Sequence, residues 1–415
     1  MEADPGWLAA SYGCAITAQL VFGAYAIVYA RQVRGEQGGT SSEASAISRA
    51  EGFVTARGTQ GRWRLGWSLF AGSMGAWAVT APAAFAVHAG VVGMVTYALS
   101  CGIPIMFIVQ FGPHIQSRWP QAGSLADFAE LRFGARAKSV VLLISMLNMC
   151  VALLAELTTI GALFRSFVGG GALPMILVSS FTATFYTAYG GLLVSIVTDQ
   201  LQALFSILLI CCLTIYTATK LRDEVTDLGP LSHQLGPANP FGWSALFVMP
   251  VSLTASTVFS QSVWQRVYAA QTARALKEGG VLASATIVVT VFLFGMAGFL
   301  AAWAGLINKE DDPNLYLFQL LKDRPDQKAQ VNSWSAVAVL VLASTMSEGA
   351  IDSLQNGMIA VLQALVPQNE SIMLLRVFVV VLSGLLVVLA LEDLPVLEIF
   401  LVANMLCRYQ SQKRW

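Results

Sequence analysis

Charge is what this chain has least of. Asp, Glu, Lys and Arg make up 12% of its 415 residues, against about a quarter in ordinary soluble domains. Hydrophobic residues make up 56%, with a mean hydropathy of +0.65, more than one soluble core can hide. The composition therefore reads as an integral, multi-pass membrane protein whose surroundings are the lipid bilayer. Spans of about 20 residues leave room for ten or more crossings and little for a soluble domain. The opening MEADPG lacks the basic start of a signal peptide, and the apolar run behind it is too long for a cleaved segment, so it reads as a retained first span.

Cysteine and histidine are equally sparing. Cys14, Cys101, Cys150, Cys211, Cys212 and Cys407 all lie in apolar runs, which excludes an outer-loop disulfide framework and paired metal-ligand spacing. His88, His114 and His233 have no helical i, i+4 partner, so zinc-type membrane hydrolysis has no ligands. No nucleophile constellation and no phosphate-binding loop appears, which argues against an enzyme and against direct ATP-driven pumping. The energy for any uphill transport then comes from an ion gradient, with no cofactor beyond a coupling ion, Na+ or H+, and no nucleic-acid partner.

What is present is a series of apolar runs. Eleven spans are expected, at 7–30, 66–88, 92–112, 139–164, 171–188, 191–219, 242–264, 280–306, 333–364, 373–391 and 394–407, all within a single transmembrane domain covering 1–415. With the amino terminus outside, 17 of the 24 basic residues fall on the inner side, in the clusters Arg31–Arg64, Arg118–Lys138 and Arg266–Lys277 and towards the chain end. On this count none lies in mid-span. The acidic loop holding Glu310, Asp311 and Asp312 is outside. The positive-inside rule thus predicts an outside amino terminus and a cytoplasmic carboxyl terminus, in the plasma membrane.

Three places carry polar chemistry. Tyr186 to Phe205 reads YTAYGGLLVSIVTDQLQALF, a glycine pair followed by an apolar helix with a single carboxylate, Asp199; a membrane carboxylate faces a water-filled path, a cation or a partner, or is held for packing by nearby hydroxyls. The second span holds Ala71-Gly72-Ser73-Met74-Gly75 and then Pro82, and the seventh holds Pro250 and then Ser252, Thr254, Ser256, Thr257 and Ser260. Lying five spans apart, they match an inverted repeat whose first helix is interrupted in each half, although small residues also serve close helix packing. In the ninth span Ser344, Glu348, Asp352 and Asn356 follow at i, i+4 spacing. Two carboxylates one turn apart bind a cation or share a proton, unless the stripe is an interhelical hydrogen-bond seam. Glu156, followed by Thr158 and Thr159, is a weaker signal of the same kind.

Tyr189-Gly190-Gly191-Leu192, Thr198-Asp199 and Gln202 together resemble the sodium:solute symporter family. LADFAELRFG at Leu125–Gly134, Phe259-Ser260-Gln261, Gln265-Arg266, Ala269-Ala270 and Met346-Ser347 agree with that family, over a stretch from about Trp7 to Cys407. The resemblance implies an all-α, LeuT-like bundle: a leading helix at 7–30, a first inverted repeat at 66–219 and a second at 242–407. It implies symport by alternating access, with sodium held by carbonyls near Ala71, Met74 and Ser344 and by the Ser347 hydroxyl. Asp199 and Asp352 then lie along the ion path, and Trp77, Gln261 and Ser262 line the solute.

The departures also inform. Glu348 stands where many members have a second hydroxyl, so it joins the cation-binding set and admits a proton as the coupling ion. Ser262 replaces the gating tyrosine of sugar-transporting members, which disfavours sugars. The solute expected is small and polar, urea, an amino acid or similar, with a slight leaning to the eukaryotic urea-transporter-like branch. The final span, 394–407, is short for a bilayer and reads as a truncated last core helix. The alternative function is accordingly a transport-inactive homologue or a solute sensor on the same fold.

Overall fold

The computed structural model describes residues 5–37, 56–224, 234–308, 311–321, 333–365 and 372–392. Among these residues the structure is helical throughout, with one isolated bridge between Gln60 and Ala270. The helices are α1 (Pro5–Gln37), α2 (Arg62–Ser73), α3 (Trp77–Arg118), α4 (Leu125–Phe133), α5 (Ala135–Leu163) and α6 (Leu173–Glu224). They continue as α7 (Pro240–Val258), α8 (Gln261–Ala269), α9 (Ala273–Trp303), the single turn α10 (Tyr316–Gln319), α11 (Ser333–Leu365) and α12 (Ile372–Ala390). Among the described residues, eight helical stretches are long and apolar enough to cross a membrane.

Two of those eight are double passes. At 42 residues, α3 would measure about 63 Å if straight, twice the roughly 30 Å of a bilayer core. It folds back instead at Gly90, whose φ of 66° and ψ of −167° only glycine adopts freely. Phe85 and Tyr97 show the reversal: their rings are 5.2 Å apart, where a straight helix would separate them by about 18 Å. Helix α6 repeats the device at Gly191 (φ 67°, ψ −162°), and Thr187 and Ser195, on opposite sides of that glycine, both donate to the Asp352 carboxylate. Both glycines fall where the apolar runs change. The expected eleventh span, 394–407, lies outside the described residues.

Two further spans are interrupted. Helix α2 ends at Ser73, Met74 is extended (φ −105°, ψ 120°), and the chain becomes helical again at Trp77. With 12 residues on one side and the Trp77–Gly90 arm on the other, this break falls near mid-membrane. The second lies between α7 and α8, where Ser260 is extended (φ −82°, ψ 103°). Pro250 sits inside intact helix, so that interruption falls at the end of the hydroxyl-rich stretch and not at the proline. Trp264 Nε1 pins it by donating to the Val258 carbonyl at 2.8 Å.

One end of the bundle is tightly tied. Gly58 N donates to the Tyr268 carbonyl at 3.1 Å and Gln60 N to that of Ala269 at 2.9 Å. Arg57 reaches the Pro120 and Ala122 carbonyls at 2.7 and 2.8 Å, and Gln116 Nε2 the Val267 carbonyl at 2.7 Å. The basic segments around residues 57–64, 118–138 and 266–277 therefore share an end. Gly90, next to the Leu235 carbonyl, and Tyr12, donating to Gly171, mark the other.

Candidate functional site

The site begins with the helix interruptions. A break leaves the first N–H groups of the following helix without intrahelical partners, and α5 supplies one. The Glu156 carboxylate lies against the Met74–Ala76 segment: Trp77 N donates to its Oε1 at 3.4 Å, and a Cβ on Gly75 would overlap it. Two turns earlier on α5, Asn148 Nδ2 donates to the Ser256 carbonyl at 3.1 Å and its Oδ1 accepts from the Ser256 hydroxyl at 3.0 Å. One helix thus touches both interrupted spans. All nine residues of α8 are buried, whereas every residue from 252 to 260 is half-buried. The region between the breaks is accordingly more open along α7 than beneath α8.

Beside the first break lies a small cavity of about 10 Å³, with room for no more than about one water molecule or a bare cation. Ala71 of α2, Met74 in the break behind it, Gln202 and Ser206 of α6, and Thr345, Met346 and Gly349 of α11 line it. A Cβ on Gly349 would come within 2.9 Å of Gln202 Oε1 and 3.6 Å of the Ala71 carbonyl oxygen, so glycine keeps that space open. The expected cation residues divide here. Ala71 and Met74 line the cavity; Ser344, Ser347 and Glu348 lie off its wall.

Their own partners show where those three point. The Ser344 carbonyl accepts from Gln19 Nε2 of the leading helix at 3.0 Å, and its hydroxyl donates to the Leu340 carbonyl at 2.7 Å. Ser347 is fully buried with its hydroxyl unpartnered. Glu348, also fully buried, accepts at 3.3 Å from Gln202 Nε2. Gln202 therefore connects the Glu348 carboxylate to the cavity wall.

Asp199 is not a lone charge. Arg266 Nη2 donates to its Oδ2 at 2.7 Å and the Ser68 hydroxyl does so at 2.6 Å. Arg266 also donates from Nε to Ser68 Oγ at 2.7 Å, from Nη1 to the Ser262 carbonyl at 2.9 Å and from Nη2 to Ser353 Oγ at 2.6 Å. Arg266, which follows the expected span 242–264, is nonetheless buried in the bundle, 2% exposed. A guanidinium can be buried there because each of its three nitrogens finds an acceptor, one of them a carboxylate. Asp352 is likewise held, accepting from Thr187, Ser195 and Asn356.

The three expected solute-lining residues also separate. Trp77 is half-buried at the first break, its ring 6.3 Å from that of Tyr97. Ser262 stands just past the second break, 2.8 Å from Ser260 Oγ. Gln261 faces the tied end, where its Oε1 accepts from Leu125 N at the start of α4 at 3.2 Å. Arg266, Asn148, Gln19 and the placement of Glu156 escaped the sequence reading because their partners lie 67 to 325 residues away. The one local hint was an acidic residue in an otherwise apolar span.

Comparison with known proteins adds to this geometry. Residues 53–308 match the Sodium:solute symporter family. The chain is 27% identical over 362 residues to the spermidine transporter DUR31 of Candida albicans, covering 86% of this chain and 68% of that protein. Among solved structures it is similar to a Na+-coupled sialic acid symporter in a substrate-bound, outward-open state (TM-score 0.67, 15% identity, 96% of this chain and 83% of that one). It is also similar to the nucleobase-cation-symport-1 transporter Mhp1 (0.61, 16%, 85% and 76%) and to MhsT in complex with L-phenylalanine (0.56, 14%, 84% and 85%). At such identities these likenesses speak for the fold, which is LeuT-like.

Proposed function

Because this chain belongs to the sodium:solute symporter family, we propose that it accumulates a small polar organic solute by symport with sodium, or with a proton in its place. That it is a multi-pass membrane transporter of the symporter class follows from the family and the fold. The coupling ion, the solute and the plasma-membrane location are the proposed part. So is the orientation, in which the tied, basic end faces the cytoplasm and the amino terminus lies outside.

The observation that carries the reading is the cavity between the α2 break and α11, lined by Ala71, Met74, Gln202, Ser206 and Thr345. Oxygen donors beside an unwound membrane helix are what a hard monovalent cation needs. In this cycle the ion enters from the open side and fastens α2 to α11. Solute then joins between the two breaks, and the bundle rocks to open the tied end. Asp199, clamped by Arg266, and Asp352, clamped by hydroxyls, lie on the inward route, so their contacts rearrange as that end opens. Glu348, joined to the cavity through Gln202, is the residue that carries the proton if a proton replaces sodium.

One positive charge moving down a potential of about 100 mV supplies roughly 2.3 kcal/mol, enough for about fifty-fold accumulation of a neutral solute. Urea, an amino acid and the amine transported by the Candida relative are the solutes to test. Proteoliposomes containing the purified chain would be supplied with each radiolabelled solute, with and without an inward sodium gradient and, separately, a proton gradient. Gradient-dependent accumulation is expected; equal uptake without any gradient refutes coupling.

A further inference from the structure

Four carboxylates are buried in the described bundle, Glu156, Asp199, Glu348 and Asp352, against one buried cation, Arg266. Their partners are unequal. Arg266 is spent on Asp199, and Asp352 accepts from three side chains. Glu348 accepts from the Gln202 amide, which lines the ion cavity. Glu156 is 4% exposed; its Oε1 accepts a long bond from Trp77 N, the Ala76 N–H also faces the carboxylate, and Oε2 makes no hydrogen bond of good geometry.

A cap at the start of the α3 arm accounts for part of this arrangement, since the helix end carries about half a positive charge. It does not account for the second oxygen, buried beside the break without a hydrogen bond of good geometry. Neither packing nor capping requires a full negative charge there; a glutamine would accept the same N–H bond. The residue whose backbone N–H the carboxylate accepts, Trp77, is itself half-buried and packs its indole 6.3 Å from the Tyr97 ring, and an aromatic face of this kind attracts cations. Asn148, on the same helix as Glu156, reaches the other break.

The geometry points to Glu156 as the counter-charge that receives an ammonium group of the transported solute, making this a site for small aliphatic amines in preference to neutral amides. The assignment rests on the proposed solute pathway between the breaks, and it deepens that reading by naming the charge of the solute. It also gives the glycine at position 75 a reason, because the carboxylate occupies the space a side chain there would need. A cationic solute would be drawn inward by the membrane potential as well as by the coupled ion.

Equilibrium binding of radiolabelled spermidine to the purified full chain in detergent tests this without any gradient, with unlabelled propylamine and urea as competitors. Saturable binding displaced by propylamine and not by urea is expected. Glu156→Gln should weaken it at least tenfold while the melting temperature stays near that of the wild type, and Glu156→Asp, which keeps the charge, should lose less. Wild-type affinity in Glu156→Gln, displacement by urea as readily as by propylamine, or no spermidine binding by the wild type would each overturn the assignment. If Glu156→Gln does not fold, the propylamine-over-urea preference in the wild type and its retention in Glu156→Asp decide the matter. Amine binding of this kind together with gradient-independent uptake would refute ion coupling and leave the role of Glu156 standing.

Discussion

The Arg266 guanidinium and the Asp199 carboxylate meet at 2.7 Å with both side chains buried, 2% and 0% exposed. The contact joins α8 to α6, and through Ser68 and Ser353 it also ties in α2 and α11. Four helices that must separate if the tied end is to open are held at one ion pair.

Removing one partner strands the other. Asp199→Asn should cost about 3–5 kcal/mol of stability, because an uncompensated buried guanidinium is expensive, and should slow ion-driven uptake. The double variant Asp199→Asn/Arg266→Gln should be less destabilised than the sum of the singles. Thermal melting of the four proteins in detergent measures the coupling, and strict additivity would show that the pair does not hold the helices.

The lining of the ion cavity makes a discriminating prediction. Thr345→Val and Ser206→Ala should each raise the half-saturating ion concentration several-fold, since each removes an oxygen from the wall. Ser347→Ala should change it little. The reverse ranking, read from ion titrations of solute uptake, would favour the Ser347 arrangement that the family resemblance implies.

Filling space should act as strongly as removing oxygen. Gly349→Ala places a methyl group 2.9 Å from Gln202 Oε1 and should weaken ion binding by roughly tenfold, about 1.4 kcal/mol. Gly13→Ala, with nothing within 4 Å, is the matched control and should behave as wild type in the same titration.

The reversal at Gly90 is a structural requirement independent of the solute. Gly90→Ala forces an L-residue to a φ of 66° and drives its Cβ to 2.9 Å from the Leu235 carbonyl oxygen. It should cost upwards of roughly 1–2 kcal/mol and lower the amount of protein reaching the membrane, measured by surface labelling. Normal expression with an unchanged melting temperature would mean that the turn tolerates a side chain.

Much of this protein was written in the order of its residues. Apolar runs marked the spans, the changes of run at Gly90 and Gly191 marked two reversals, and the glycine-rich stretch at Ala71–Gly75 marked the first helix break, because each depends on neighbours within a few residues. The family resemblance, carried by short motifs such as Thr198-Asp199 and Tyr189-Gly190-Gly191, was legible for the same reason. The stretch from Pro250 to Ser260 marked the second break without fixing its position: a proline inside a membrane helix can be accommodated when surrounding helices support it, and the chain unwinds at Phe259–Ser260.

Only the tertiary structure decided which polar groups meet. It paired Asp199 with Arg266, a residue its sequence neighbourhood placed in a loop, left Ser344 off the cavity wall and joined Glu348 to that wall through Gln202, and set Glu156 against a break 80 residues earlier in the chain. Hydropathy tells a residue that it lies in the membrane. In a medium without water, each buried charge or amide must then find its partner on another helix, and that choice is made by packing across the bundle, which no local window of sequence contains.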